Sequence, residues 1–353
     1  GLLLTALISL PWYVLELLVE GQPFWDSFFG YHNLQRFTSV VNDHLQPWWF
    51  FGPVMLVAAL PFTPYLLIGL ARVPRSRIAP EHSLHQFAAC WLLAVLLLFT
   101  TAATKLPSYW LPATPAAALL VAQATVGSSR WQRMAWGTCL ALIAVLAAGF
   151  WLGSLWVPLI DDPEMPTLSV DLLASGLLKW AAVWFSAAAV LGAGLLLQRR
   201  AAAQALLAMQ GCLLGFHLTA LVPIAELADR LRQQPVRDAA SLMLSQQRSG
   251  EPMVMVGAMK PSLHFYTGQV ILYEGQSDGA LVNIADRLAH EQRRGWSGYP
   301  LGSPAASRTV LVLIDRGTAE RDHWRNLQPE LLGQIGIYDV WRLDRSRLEQ
   351  RAQ

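Results

Sequence analysis

The sequence predicts an α-helical polytopic membrane protein of about seven spans, followed by a soluble C-terminal α/β domain. Three observations carry this. Hydrophobic residues make up 54% of the 353 and charged residues only 14%, where a soluble domain carries about 25% charged. The charges are sparse over residues 1–225 and dense over 226–353, which divides the chain into a membrane region and an aqueous domain. Apolar stretches near the ~20 residues that a helix needs to cross a bilayer recur through the first region.

Seven such stretches are 1–19, 48–71, 86–103, 108–127, 134–157, 174–198 and 202–224. Each is expected to be helical, because a backbone in lipid must satisfy its polar groups within the segment. The first run, GLLLTALISL, opens at Gly1 without an initiator Met or a basic leader region; the expectation is a truncated sequence with further helices upstream. Basic residues of short loops set orientation. Arg72, Arg75 and Arg77 share one loop, Arg130 and Arg133 the second-next, and Arg199 and Arg200 a turn two crossings later. The loop near 158–173 carries Asp161, Asp162, Glu164 and Asp171 with no Lys or Arg. This alternation predicts that the arginine loops and residue 1 are cytoplasmic and that 226–353 is extracytoplasmic.

Loop 20–47 is then external. Its Phe24, Trp25, Phe28 and Phe29 are apolar and its Tyr31, His32, Asn33, Gln35 and Arg36 polar, an amphipathic composition suited to the membrane surface. Two readings stay open: an interfacial connector anchored by aromatics, or a site for a lipid substrate at the outer leaflet.

In the aqueous domain, PMVMVG, QVILY, TVLVLID and IGIYDVWRL read as strands, while PVRDAASLMLSQQ and ALVNIADRLAHEQRR read as helices. This alternation favours a sheet with helices packed on it. TVLVLID, apolar at both parities, is expected to be a central strand buried on both faces. PSLHFYTG, with His264 and Tyr266, reads as a turn between strands or a small polar site. No glycine-rich nucleotide loop occurs. Net charge is +2 with no basic run, so nothing points to nucleic acid. Cys90, Cys139 and Cys212 lie in apolar stretches without metal or disulfide spacing and read as small buried hydrophobes. No metal site and no cofactor are assigned.

The informative charges sit at the external boundary. Arg36 neighbours His32 and Gln35. The hairpin ATKLPSYWLPATP presents Lys105, Ser108 and Tyr109, braced by Pro107, Pro112 and Pro115. Asp43 and His44 precede Pro47 and the Trp48–Trp49 pair. An Arg fork, a Lys point charge and a Tyr hydroxyl together suit a phosphate at headgroup height; singly, Lys105 and Arg36 also read as snorkelling or headgroup anchors. A transporter or non-catalytic scaffold is the rival class. Transporters keep ionisable groups near mid-membrane; the spans of this chain hold few, Glu16, Lys179 and His217, and Glu16 lies near a helix end, at the interface.

The motifs PWYVLELLVEGQPFWDSFFGYHNLQRFTS, then H-x-x-PWWFF, then TKLPSYWLPATPA resemble the membrane glycosyltransferases of the GT-C type that use polyprenyl-phosphate sugars. Within them the likeness is to the lipid A aminoarabinose transferases and the wider dolichyl-phosphate-mannose–protein mannosyltransferase superfamily. It is strongest over 10–120. It implies transfer of a sugar from a polyprenyl-phosphate donor to a lipid acceptor, or to a protein hydroxyl in the mannosyltransferase alternative, at the outer face of a bacterial inner membrane. It places phosphate binding on Arg36, Lys105 and Tyr109, with His32, Gln35, Asp43 and His44 as possible lining. The family's catalytic carboxylate belongs to a first external loop expected upstream, so this stretch alone is expected to be inactive.

Overall fold

The computed structural model describes residues 1–40, 45–73, 83–126, 129–198, 202–277, 279–294 and 307–352. Asp43, His44, Arg75, Arg77, Arg199 and Arg200 lie outside them. The chain divides into two compact units, Gly1–Phe150 with Ala182–Phe216, and Trp151–Ala181 with His217–Gln353. The expected boundary after residue 225 falls inside one helix, Val222–Gln246.

Among the described residues, five helical runs are long and apolar enough to cross a membrane: Leu2–Val19, Leu84–Thr101, Arg130–Trp151, Leu177–Leu197 and Gln204–Gln246. Phe51–Ala58 and Thr63–Arg72 form a sixth candidate, bent by 117° at the intervening break, where Pro61 has no N–H to continue a helix. The expected span 108–127 differs. Pro107–Ala113 is a 3-10 turn and only Thr114–Ala124, 11 residues, is α-helical. Pro107, Pro112 and Pro115 crowd that entry and remove donors that an α-helix would use.

The first unit packs through small residues, as expected where lipid removes any hydrophobic drive between helices. Ala116, Ala117, Leu120 and Ala124 are buried on one helix, and Gly69 of the Thr63–Arg72 helix comes so near that an added Cβ would stand 2.8 Å from the Leu120 carbonyl oxygen. The Leu2–Val19 helix buries no residue, but its Trp12 and Tyr13 rings meet Phe24, Phe28 and Phe29 of the following segment edge-on or tilted, centroids 5.6–6.4 Å apart. Cys139 and Cys212 are buried; Cys90 is exposed on its helix.

The second unit contains a five-stranded sheet. Its strands are β1 (Met253–Val256), β2 (Ile271–Glu274), β3 (Thr309–Asp315), β4 (Glu330–Ile335) and β5 (Tyr338–Asp344), in the order β2-β1-β3-β5-β4. β1 is parallel to β2 and β3, whereas β5 is antiparallel to β3 and β4. TVLVLID is the central strand, as its pattern predicts. Val254, Val256, Val310 and Val312 face one core with Ile284 and Leu288 of the Ala280–Arg294 helix. Met253, Met255, Leu311 and Leu313 face the other, with Val236 and Met243 of the Val222–Gln246 helix. PSLHFYTG supplies a short helix, Ser262–Thr267, between β1 and β2. At one end of the sheet Glu251, fully buried, holds Arg342 at 2.9 Å and accepts from the Arg248 N–H at 3.0 Å.

Candidate functional site

The loop after the first helix is a π-helix, Trp25–Gln35, followed by one α-turn, Arg36–Thr38. His32 and Gln35 lie on the π-helix, and Gln35 is exposed. The Gln35 carbonyl accepts from both the N–H and the hydroxyl of Ser39, at 2.7 and 2.9 Å, and so closes the helical segment. Arg36 is held where this segment meets the hairpin. Its carbonyl accepts from the Thr104 N–H at 3.1 Å, and the Phe37 carbonyl accepts from the Ala103 N–H at 2.8 Å. The Thr104 hydroxyl donates to the Ser39 carbonyl at 3.0 Å, and Leu45 bridges Thr104 antiparallel. Two segments far apart in sequence are thereby tied, backbone to backbone, next to Lys105.

Lys105 is buried, 7% exposed. Its ammonium donates to the Ala102 carbonyl at 2.7 Å. The Nε of Arg36 is buried and has no hydrogen-bond partner among the described residues. A buried N–H of a cation normally finds an acceptor, so this atom is a donor awaiting one. Tyr109 is half-buried on the 3-10 turn, its ring 4.7 Å from that of Phe99 on the Leu84–Thr101 helix. Lys105 precedes that turn, which starts at Pro107. The two residues, four apart in sequence, therefore do not share a helical turn. Among the described residues, no three His, Cys, Asp or Glu side chains converge as a metal site would require.

The arrangement offers cationic donors in a desolvated place, which is what a phosphate leaving group needs as its charge grows. Thr104 escaped the sequence reading. It is 1% exposed and makes the tie, and its one sequence signal is a hydroxyl residue adjacent to the lysine.

Comparison with known proteins bears on both units. Residues 246–353 match the family model of the cyanobacterial RgtA-type glycosyltransferase C-terminal domain. An undecaprenyl phosphate-alpha-4-amino-4-deoxy-L-arabinose arabinosyl transferase of Erwinia tasmaniensis is 34% identical over 193 residues, 52% of this chain and 34% of the relative. Its counterpart in Pseudomonas paraeruginosa is 33% identical over 126 residues, 36% of this chain and 22% of the relative. The matched stretch thus spans about a third or less of these relatives' lengths. Two crystal structures of ArnT from Cupriavidus metallidurans share the fold. The undecaprenyl phosphate complex has a TM-score of 0.62 at 19% identity, over 97% of this chain and 60% of that one. The apo form has a TM-score of 0.65 at 20% identity, over 98% and 60%. In sequence over about half its length, and in fold over nearly all of it, this chain is similar to the aminoarabinose transferases that the motifs of its first 120 residues resemble.

Proposed function

We propose that this chain is part of a membrane glycosyltransferase that moves a sugar from a polyprenyl-phosphate donor to a lipid acceptor on the outer face of the membrane. Arg36, Lys105 and Tyr109 hold the donor phosphate. The observation that carries the reading is the tie between Arg36 and Thr104, which sets a buried, unpartnered guanidinium Nε beside the segment bearing a buried ammonium. In this reading the bent pair 51–72 and the segment 107–124 each count as a crossing, completing seven. The arginine loops are cytoplasmic and the sheet domain is extracytoplasmic.

The chemistry follows from the charges. As the glycosidic bond breaks, negative charge grows on the phosphate; fixed cations in a water-poor site stabilise it without moving a proton. His32 and Gln35 lie on the π-helix leading to Arg36 and belong to the rim of the site. The test is donor binding by the full-length protein. Arg36→Ala is expected to weaken undecaprenyl phosphate by about ten-fold or more, since a charged hydrogen bond contributes roughly 1.5–3 kcal/mol. Wild-type affinity in that variant refutes the assignment. A reporter that works only in the cytoplasm, fused after residue 353, is expected to be silent.

A further inference from the structure

The sheet has a second feature that the membrane site does not use. From β1 the chain goes to β2 on one side, and the next parallel strand, β3, lies on the other side of β1. The crevice beyond the carboxyl ends of β1 and β3 is thus a topological switch point, where open α/β sheets place ligands. The side chains at this end are polar. Lys260, 5% exposed, follows β1 and pairs with Glu164, which also holds Arg232 at 2.6 Å. Asp315 ends β3, and its carboxylate is satisfied by the N–H groups of Ala258 and Thr318, both at 2.9 Å. Opposite Asp315 stands Tyr338, 1% exposed, whose hydroxyl has no hydrogen-bond partner among the described residues.

A cavity of about 350 Å³ opens beside this crevice, at the end of β3 and the β4–β5 turn, lined by Glu164, Arg230, Arg232, Arg316, Gln234 and Tyr338 among others. Its three guanidiniums face one fully engaged carboxylate, Glu164, and one lining Asp, Asp238, which is hydrogen-bonded to Gln234. Among the described residues the Arg316 side chain keeps only a loose contact with Asp339, at 3.5 Å. Guanidiniums around a small cavity recognise phosphate by paired N–H donors. The volume lies at the low end of small-molecule pockets, about 300–1,000 Å³, so it suits one sugar ring with its phosphate rather than an oligosaccharide. Gln234 and Asp238 can serve ring hydroxyls, and Pro235 and Ile337 give apolar surface for a ring face.

We propose that this cavity is a second binding site, for the phosphate of a phosphorylated sugar. Arg230, Arg232 and Arg316 are its charged donors and the Tyr338 hydroxyl its neutral donor. Glu164 is the internal carboxylate that occupies part of the anion position until the phosphate displaces it. The phosphosugar is either free or the headgroup of a lipid, and the site stands independently of the donor site in the membrane unit.

The experiment measures binding to the full-length protein in nanodiscs, by calorimetry with N-acetylglucosamine 1-phosphate and, separately, with lipid A included in the nanodisc. Arg230→Ala is expected to weaken binding about ten-fold or more and Tyr338→Phe about two- to ten-fold. Glu164→Gln is expected to tighten it. Tyr338→Phe deletes a buried hydroxyl that has no partner, so its unfolding temperature stays at or above wild type, and lost affinity cannot be ascribed to misfolding. Binding of the soluble probe with these effects identifies a free ligand; binding only with lipid A, with the same effects, identifies a headgroup. Wild-type affinity in both Arg230→Ala and Tyr338→Phe overturns the proposal. So does a binding signal abolished by Lys105→Met, which would assign the probe to the membrane site.

Discussion

Lys105→Met separates a phosphate site from a bilayer anchor. The ammonium is buried, and among the described residues its one hydrogen bond goes to the Ala102 carbonyl at 2.7 Å. An ammonium has three donors, so two remain for a ligand. Methionine keeps the length and apolar stem while deleting the charge. The folded protein loses one charged hydrogen bond and leaves a carbonyl short of a donor, a cost of about 1–3 kcal/mol. It also sheds a desolvated cation whose burial is itself unfavourable by a comparable amount. The two oppose, so the unfolding temperature of the full-length protein is expected to move by only a few degrees. Donor binding has no such compensation. Loss of one charged contact to a phosphate, roughly 1.5–3 kcal/mol, is about ten- to a hundred-fold in affinity. The assay is undecaprenyl phosphate binding in nanodiscs, read by thermophoresis, with thermal unfolding of the same sample. Lys105→Arg keeps the charge in a different shape and recovers part of the loss. Wild-type affinity in Lys105→Met refutes the reasoning, as does an affinity loss matched by a collapse in unfolding temperature, which is the signature of an anchor.

Three further predictions concern the sheet domain. Glu251→Ala leaves Arg342, 6% exposed, without its buried carboxylate, and is expected to destabilise the domain by about 3–5 kcal/mol in chemical denaturation. Gly336→Ala puts a side chain at φ 58°, with its Cβ 2.8 Å from that of Pro235; an expected loss of about 1–3 kcal/mol would appear as a lower denaturation midpoint. Burial pushes the Tyr338 phenol up, and the nearby Glu164 and Asp315 charges push it further. Its folded value then exceeds the unfolded one of about 10, so its contribution is complete below that pH and is lost as pH rises through the folded value. Denaturation midpoints measured across about pH 9 to 11 should fall in the wild type and fall less in Tyr338→Phe.

The sheet was readable where strands are buried on both faces. TVLVLID and PMVMVG carry no alternation because neither parity meets water, and both lie inside the sheet. β4 was missed for the opposite reason. Glu330–Ile335 is an edge strand with exposed Glu330, Leu331 and Gln334 and a bulge between Leu331 and Gly333, so its pattern shows neither period. At 108–127 hydropathy does not register the prolines, so the apolar stretch is longer than its α-helical part, Thr114–Ala124, which a 3-10 turn precedes. For the candidate site, sequence could propose the residues but not their junction. Nothing local to Arg36 announces a bond to Thr104, which depends on how the π-helix ends and where the hairpin docks. The orphaned Nε of Arg36 and hydroxyl of Tyr338 are likewise products of tertiary packing.

The strand order has a consequence for biogenesis. β5 is the last of the five strands to be synthesised, yet it takes an interior place, between β3 and β4. Until it arrives, β3 presents an unpaired edge of apolar residues and Glu251 is a carboxylate without its guanidinium. An exposed apolar edge is a template for pairing with other chains. A nascent chain halted before residue 338 therefore cannot close its sheet, and it presents the features that chaperones and proteases act on. Commitment to the fold of this domain comes with the β4–β5 hairpin.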